Sequence, residues 1–123
     1  MAMPDRFVCE MFQIDTNRIN ARGSLSSMNV LERWNQNDVI QIDMCEVAQD
    51  EASRGNDQAR TSKARDYINT QTMASTPGEQ KILKRIEQIL FPNGATATNE
   101  KNDVEIVFNA YKYGRILVTN DGA

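Results

Sequence analysis

The stretch Asn102-Asp103-Val104-Glu105-Ile106-Val107-Phe108-Asn109-Ala110-Tyr111-Lys112-Tyr113-Gly114-Arg115-Ile116-Leu117-Val118-Thr119-Asn120-Asp121 decides the fold class. Its first half places Val104, Val107, Phe108 and Tyr111 at i, i+3, i+4 and i+7, which predicts a helix with one apolar face. Asn102 or Asp103 is the expected N-cap, and Gly114 is the expected residue just past the C-terminus. The second half, Ile116-Leu117-Val118, is a short apolar run without alternation, as a strand buried on both faces would be. A helix followed at once by such a strand is half of an α/β unit. It leaves Asp103 at a helix start and Asp121 just beyond a strand's C-terminal end, the edge where open α/β sheets bind ligands.

Upstream segments repeat the pattern. Residues Phe7 to Ile14 are apolar at six of eight positions and read as a strand running directly into Asp15-Thr16-Asn17. Arg18 to Gly23 reads as a helical turn. Ser26 and Ser27 are expected caps of a short helix through Trp34, with Val30, Leu31 and Trp34 facing inward. Val39 to Ile42 is the next strand. Its exit, Asp43-Met44-Cys45-Glu46, carries an acidic pair, Asp43 and Glu46, and leads into a helix whose inner positions are Ala48 and Ala52. Residues 53–74 are polar, with a helix in their middle carrying Ala59, Ala64, Tyr67 and Ile68. Thr76-Pro77-Gly78-Glu79 is a capping box with proline at N1, and it starts a helix that Pro92-Asn93-Gly94 ends. Residues 95–101 are expected as a loop or short strand. Strands interleaved with helices give an α/β fold of three layers, α/β/α, with a mostly parallel sheet of four or five strands. The 123 residues are expected to form one domain, residues 1–123, after a short leader.

Composition narrows the chemistry. The formal net charge of −3 gives no overall attraction for nucleic acid, so any such binding needs a local basic patch. No run approaches the length of a membrane span, nothing at the N-terminus resembles a secretory signal, and a cytoplasmic location is expected. Cys9 and Cys45 lie in apolar surroundings and read as buried thiols. There is no histidine. That removes histidine acid–base catalysis, Ser-His-Asp triads and His-containing zinc sites. Carboxylates remain as the agents of chemistry, and all-oxygen sites suit Mg²⁺ or Mn²⁺.

Each strand exit or following helix carries an acid: Asp15, Asp43 or Glu46, Asp103, Asp121. Singly, each reads as an ordinary cap. Together, the topology gathers them on one sheet edge, and clustered carboxylates repel unless a cation neutralises them. The order Ile14-Asp15-Thr16-Asn17, Glu46 opening a helix, Asn102-Asp103 opening a late helix that ends in Gly114, and Leu117-Val118-Thr119-Asn120-Asp121 resembles the PIN domain family. That family includes many metal-dependent ribonucleases and the VapC-type toxins of toxin–antitoxin pairs. The resemblance spans nearly the whole chain on short motifs.

It implies that Asp15, Glu46, Asp103 and Asp121 form a catalytic site holding Mg²⁺ or Mn²⁺, with Asn17 and Thr119 supporting it by hydrogen bonds, and it leaves Asp43, which matches no family position, as a turn or cap residue. It implies a nuclease hydrolysing phosphodiester bonds of single-stranded RNA, with Arg18, Arg22, Arg60, Lys63 and Arg65 as candidate contacts to the RNA backbone, although Arg54, Arg60, Lys63 and Arg65 read first as a solvated helix face. An antitoxin protein and a homodimer are the implied partners. PIN domains continue past the last acidic motif with a phenylalanine and a fifth strand, whereas this sequence ends at Gly122-Ala123, so the edge strand is expected to be truncated or missing. The alternative is a PIN-like module that binds RNA or a protein without cutting. Haloacid-dehalogenase phosphatases need Asp-x-Asp where Asp15-Thr16-Asn17 stands, and receiver domains need a late lysine where Asn120-Asp121 stands.

Overall fold

The computed structural model describes residues 10–71 and 73–120. Four parallel strands, β1 (Glu10–Ile14), β2 (Ile40–Cys45), β3 (Ile68–Thr70) and β4 (Ile116–Val118), form one sheet in the order β3-β2-β1-β4. Five helices connect them: α1 (Ser26–Gln36), α2 (Glu46–Ser53), α3 (Gln58–Arg65), α4 (Pro77–Leu90) and α5 (Thr98–Tyr113), with a 3-10 turn at Thr16–Arg18. The α/β class and the parallel sheet are as the sequence predicts. The leader, Phe7 to Cys9 and the residues from Asp121 onward lie outside the described residues. Among those described, no helix is long and apolar enough to cross a membrane.

Register divides the sheet into two chemically different faces. Phe12 pairs with Ile42 and Gln13 with Asp43, so side chains of each pair point the same way. One face carries Ile14, Ile40, Ile42 and Met44, which join Met28 of α1 in the main core. The other face carries Gln13 and Asp43, both fully buried, and α5 lies over it through a bond from the Gln13 amide to the Ile106 carbonyl at 2.8 Å.

The start of α4 follows the sequence closely. Thr76 Oγ1 accepts the Glu79 N–H at 3.1 Å, and Glu79 Oε1 accepts the Thr76 N–H at 3.2 Å. Replacing Thr76 by Ala should lower stability by about 1 kcal/mol, read as a shift of the urea midpoint without a change of slope.

Other local expectations are corrected. Ser26 and Ser27 lie inside α1, not before it, since the cap position is Leu25, which contributes no side-chain bond. On α1, Met28 is fully buried and Leu31 packs against the core as expected, whereas Val30 and Trp34 are 38% and 43% exposed. Tyr67 and Ile68 belong to no helix: α3 stops at Arg65, and Ile68 opens β3. Helix α5 starts at Thr98, earlier than Asn102 or Asp103. Glu100 reaches back to the N–H groups of Ala97 and Thr96 at 3.0 and 3.1 Å, and these bonds hold its carboxyl below the usual range. Gly114 does close the helix, in the left-handed region at φ 64°. Tyr111 is exposed on α5, and the buried stripe includes Asn102, Ile106 and Asn109 beside Val104 and Phe108. Strand β4 is an edge strand with Ile116 47% exposed, not one buried on both faces.

Candidate functional site

Asp15 sits at the exit of β1, where the strand gives way to the 3-10 turn. It is 7% exposed and heavily hydrogen-bonded. Its Oδ1 accepts the Thr16 N–H at 2.7 Å, and its Oδ2 accepts the Thr119 hydroxyl at 2.9 Å. The Asn17 amide reaches the same Oδ2 at 3.5 Å and Thr119 Oγ1 at 3.3 Å, while Asn17 Oδ1 accepts the Asn120 N–H at 3.0 Å. The backbone agrees, since the Asp15 N–H donates to the Val118 carbonyl at 3.0 Å. Thr16 and Asn17, which follow Asp15, and Thr119 and Asn120, which follow β4, thus fix one carboxylate in place.

The residue that ties this corner to α5 is Glu51, on the second turn of α2. Its Oε1 accepts the Thr16 hydroxyl at 2.7 Å, and its Oε2 accepts the Asn102 amide at 2.9 Å. Thr16 follows Asp15, and Asn102 precedes Asp103. One carboxylate therefore joins the two segments that carry the aspartates. The Thr16 hydroxyl also lies 3.4 Å from the Ala48 carbonyl, and the Arg60 guanidinium donates to the Thr16 carbonyl at 2.8 Å.

Sequence reasoning passed over Glu51, although a signal was present. Ala48 and Ala52 mark the inner face of α2, and Glu51 lies at i+3 from the first and beside the second. Asp103 is half-buried within α5, past its first turn. Glu46 is exposed at the first position of α2, and the structure places it near Glu105. Burial, with the negative charge of Glu46 added, pushes the Glu105 carboxyl above its usual range. Asp121 lies outside the described residues. Asp43 is no turn or cap residue: it stands in the middle of β2, fully buried, with Arg115 Nε 2.5 Å from its Oδ2.

The expected RNA-contacting cations are divided. Arg22 is paired with Asp57 through two bonds of 2.7 and 2.9 Å, and that guanidinium holds the Asp57 carboxyl below the usual range. Lys63 forms an ion pair with Glu32. Arg60 is turned onto Thr16, beside Asp15. Arg18 is half-buried, and Arg65 is exposed in the last turn of α3.

The donor chemistry here is all oxygen, which suits a hard divalent cation. Among the described residues no three Asp, Glu or Cys side chains stand together as a metal-holding group. Mg²⁺ is commonly held by one or two carboxylates, with waters and substrate phosphates completing its shell, and Asp15 and Asp103 fit that pattern in kind.

No family model and no curated protein matches the chain. Among solved structures, a chain of VapBC2 from Rickettsia felis, bound to a DNA fragment from their promoter, matches with a TM-score of 0.60. The two chains share a fold. The match covers 90% of this chain and 88% of that one at 19% identity. At that identity the likeness speaks for architecture, and the chemistry has to be argued from the residues described above.

Proposed function

We propose that the chain is a Mg²⁺- or Mn²⁺-dependent endoribonuclease acting on single-stranded RNA, in the role of a toxin held by an antitoxin. The observation that carries this reading is the linkage Asp15–Thr16–Glu51–Asn102–Asp103, which holds two aspartate-bearing segments together at the C-terminal edge of the sheet. The shared fold with a VapBC2 chain supports the toxin–antitoxin role.

Asp15 and Asp103 would hold the ion, with Asp121 and Glu46 as the further acids that the PIN resemblance adds. A bound divalent ion supplies a water of lowered pKa and neutralises charge on the attacked phosphate. The chain's own residues do the rest. Thr119, Asn17 and the Thr16 N–H aim the Asp15 carboxylate. Glu51 holds Asn102, the residue before Asp103, against the Asp15 corner. Arg60, in bond with Thr16, puts a positive charge beside the site, where a phosphate backbone would pass.

Calorimetric titration with Mn²⁺, followed by cleavage assays on single-stranded RNA with and without EDTA, tests the proposal. Binding together with EDTA-sensitive cleavage supports it. No heat at millimolar Mn²⁺ and no cleavage would instead favour a module that binds RNA or protein without cutting.

A further inference from the structure

Beneath α5, the sheet carries polar side chains where a parallel sheet ordinarily carries aliphatic ones. Gln13 and Asn109 are both 0% exposed. The Gln13 amide donates to the Ile106 carbonyl at 2.8 Å, and the Asn109 amide donates to Gln13 Oε1 and, at 2.7 Å, to Thr70 Oγ1. The three residues link β1, β3 and α5. Burying two amides is costly without partners, and these have them. Apolar contact would hold α5 to the sheet equally well, but it tolerates sliding. Hydrogen bonds weaken steeply with misalignment and so fix position along the helix axis.

Position matters here because of what stands at either end. Gln13 is two residues before Asp15. Asn109 is six residues after Asp103, about 9 Å along the helix at about 1.5 Å per residue. We propose that Gln13 and Asn109 are positioning residues whose buried amide pair sets the axial placement of α5 over β1, and with it the spacing of Asp15 and Asp103. The inference rests on the reading of those two aspartates as ion-holding residues. Glu51 braces the same segments at their ends, and the amide pair braces them from below.

The test is Gln13→Met, which matches the side chain in length, removes both bonds between β1 and α5, and leaves Asn109 bonded to Thr70. Three measurements are made on the full chain: thermal unfolding, Mn²⁺ affinity by calorimetry well below the melting midpoint, and amide hydrogen exchange of α5. The expected result is a folded protein with Mn²⁺ affinity reduced up to about tenfold, no more than the loss of a partner bonded directly to a ligand, and with faster exchange in α5. A folded variant with parental Mn²⁺ affinity overturns the inference while leaving the ion-holding reading intact. Absence of Mn²⁺ binding by the parent chain overturns both. If Gln13→Met does not fold, Gln13→Leu/Asn109→Leu removes both amides together and is judged by the same readouts, parental affinity again counting against the proposal.

Discussion

Replacement of Arg115 by Met is expected to cost about 3–5 kcal/mol, the range for stripping the partner from a buried ion pair. Asp43 has no exposed surface, and Arg115 Nε is 2.5 Å from its Oδ2. The other oxygen, Oδ1, has no hydrogen-bond partner among the described residues. Burial pushes the Asp43 carboxyl above its usual range, although Arg115 pulls the other way. Without the guanidinium the upward shift grows. A carboxyl whose folded pKa lies above its unfolded value contributes stability that is fully present below the unfolded pKa, about 3.9, and is lost as pH rises through the folded pKa.

The variant's deficit relative to the parent should therefore be largest at about pH 8 and shrink as pH falls toward about 5. Urea unfolding at the two pH values measures this. Arg115 also donates to the Tyr113 carbonyl at 2.7 Å and lies over the Tyr113 ring, so a small part of the loss will not depend on pH. Asp43→Leu/Arg115→Met, which removes both charges, should regain most of the stability. A pH-independent deficit in the single variant would show that the Asp43 charge is not its source.

The second large effect concerns chemistry. Asp15→Asn should reduce Mn²⁺-dependent cleavage of single-stranded RNA by more than about 100-fold, beyond what the loss of an outer-shell partner does. The fold should survive. Asn can still accept the Thr16 N–H, and the Thr119 hydroxyl can turn to accept from the new amide. Thermal unfolding within a few degrees of the parent, with cleavage lost, is the expected pair of results. Unchanged cleavage in a preparation free of contaminating nuclease would refute the proposed role of Asp15. Thr119→Val gives a graded comparison, since it removes one aiming bond and should weaken Mn²⁺ binding about tenfold.

The sequence made some of this architecture readable and hid other parts for identifiable reasons. The start of α4 was legible because a capping box and an N1 proline act locally. The left-handed close of α5 at Gly114 was legible for the same reason. Strand β3 was not, because Ile68-Asn69-Thr70 is three residues long, two of them polar, and takes its shape from pairing with β2. Asp43 reads as a turn or cap residue from the family pattern, which has no place for it, and its position inside β2 was hidden because the partner that makes a buried charge tolerable, Arg115, lies 72 positions away. The start of α5 was misplaced because its cap is the reach of Glu100 back to Ala97, with no Ser, Thr, Asn or Asp at the cap position itself. Around Asp15, the residues were visible in sequence, whereas for Glu51 the sequence offered only its spacing from Ala48 and Ala52 on α2, and its bridge from Thr16 to Asn102 joins segments far apart in the chain. Asn109 stayed hidden because a polar residue on an amphipathic helix is expected to face water.

The bond from Thr119 to Asp15 joins residues 104 positions apart, and the Val118 carbonyl accepts the Asp15 N–H beside it. Every strand pair in the sheet is parallel, so none can close as a local hairpin. Pairing of this kind makes folding slow, because the entropy of closing long loops is lost before distant contacts compensate for it. During synthesis, β1 emerges first and β4 last among the described strands. The corner around Asp15 cannot be completed until β4 has left the ribosome. On the proposed function, a nascent chain does not carry the chemistry, and the interval before β4 docks is time in which a partner protein can reach the surface first.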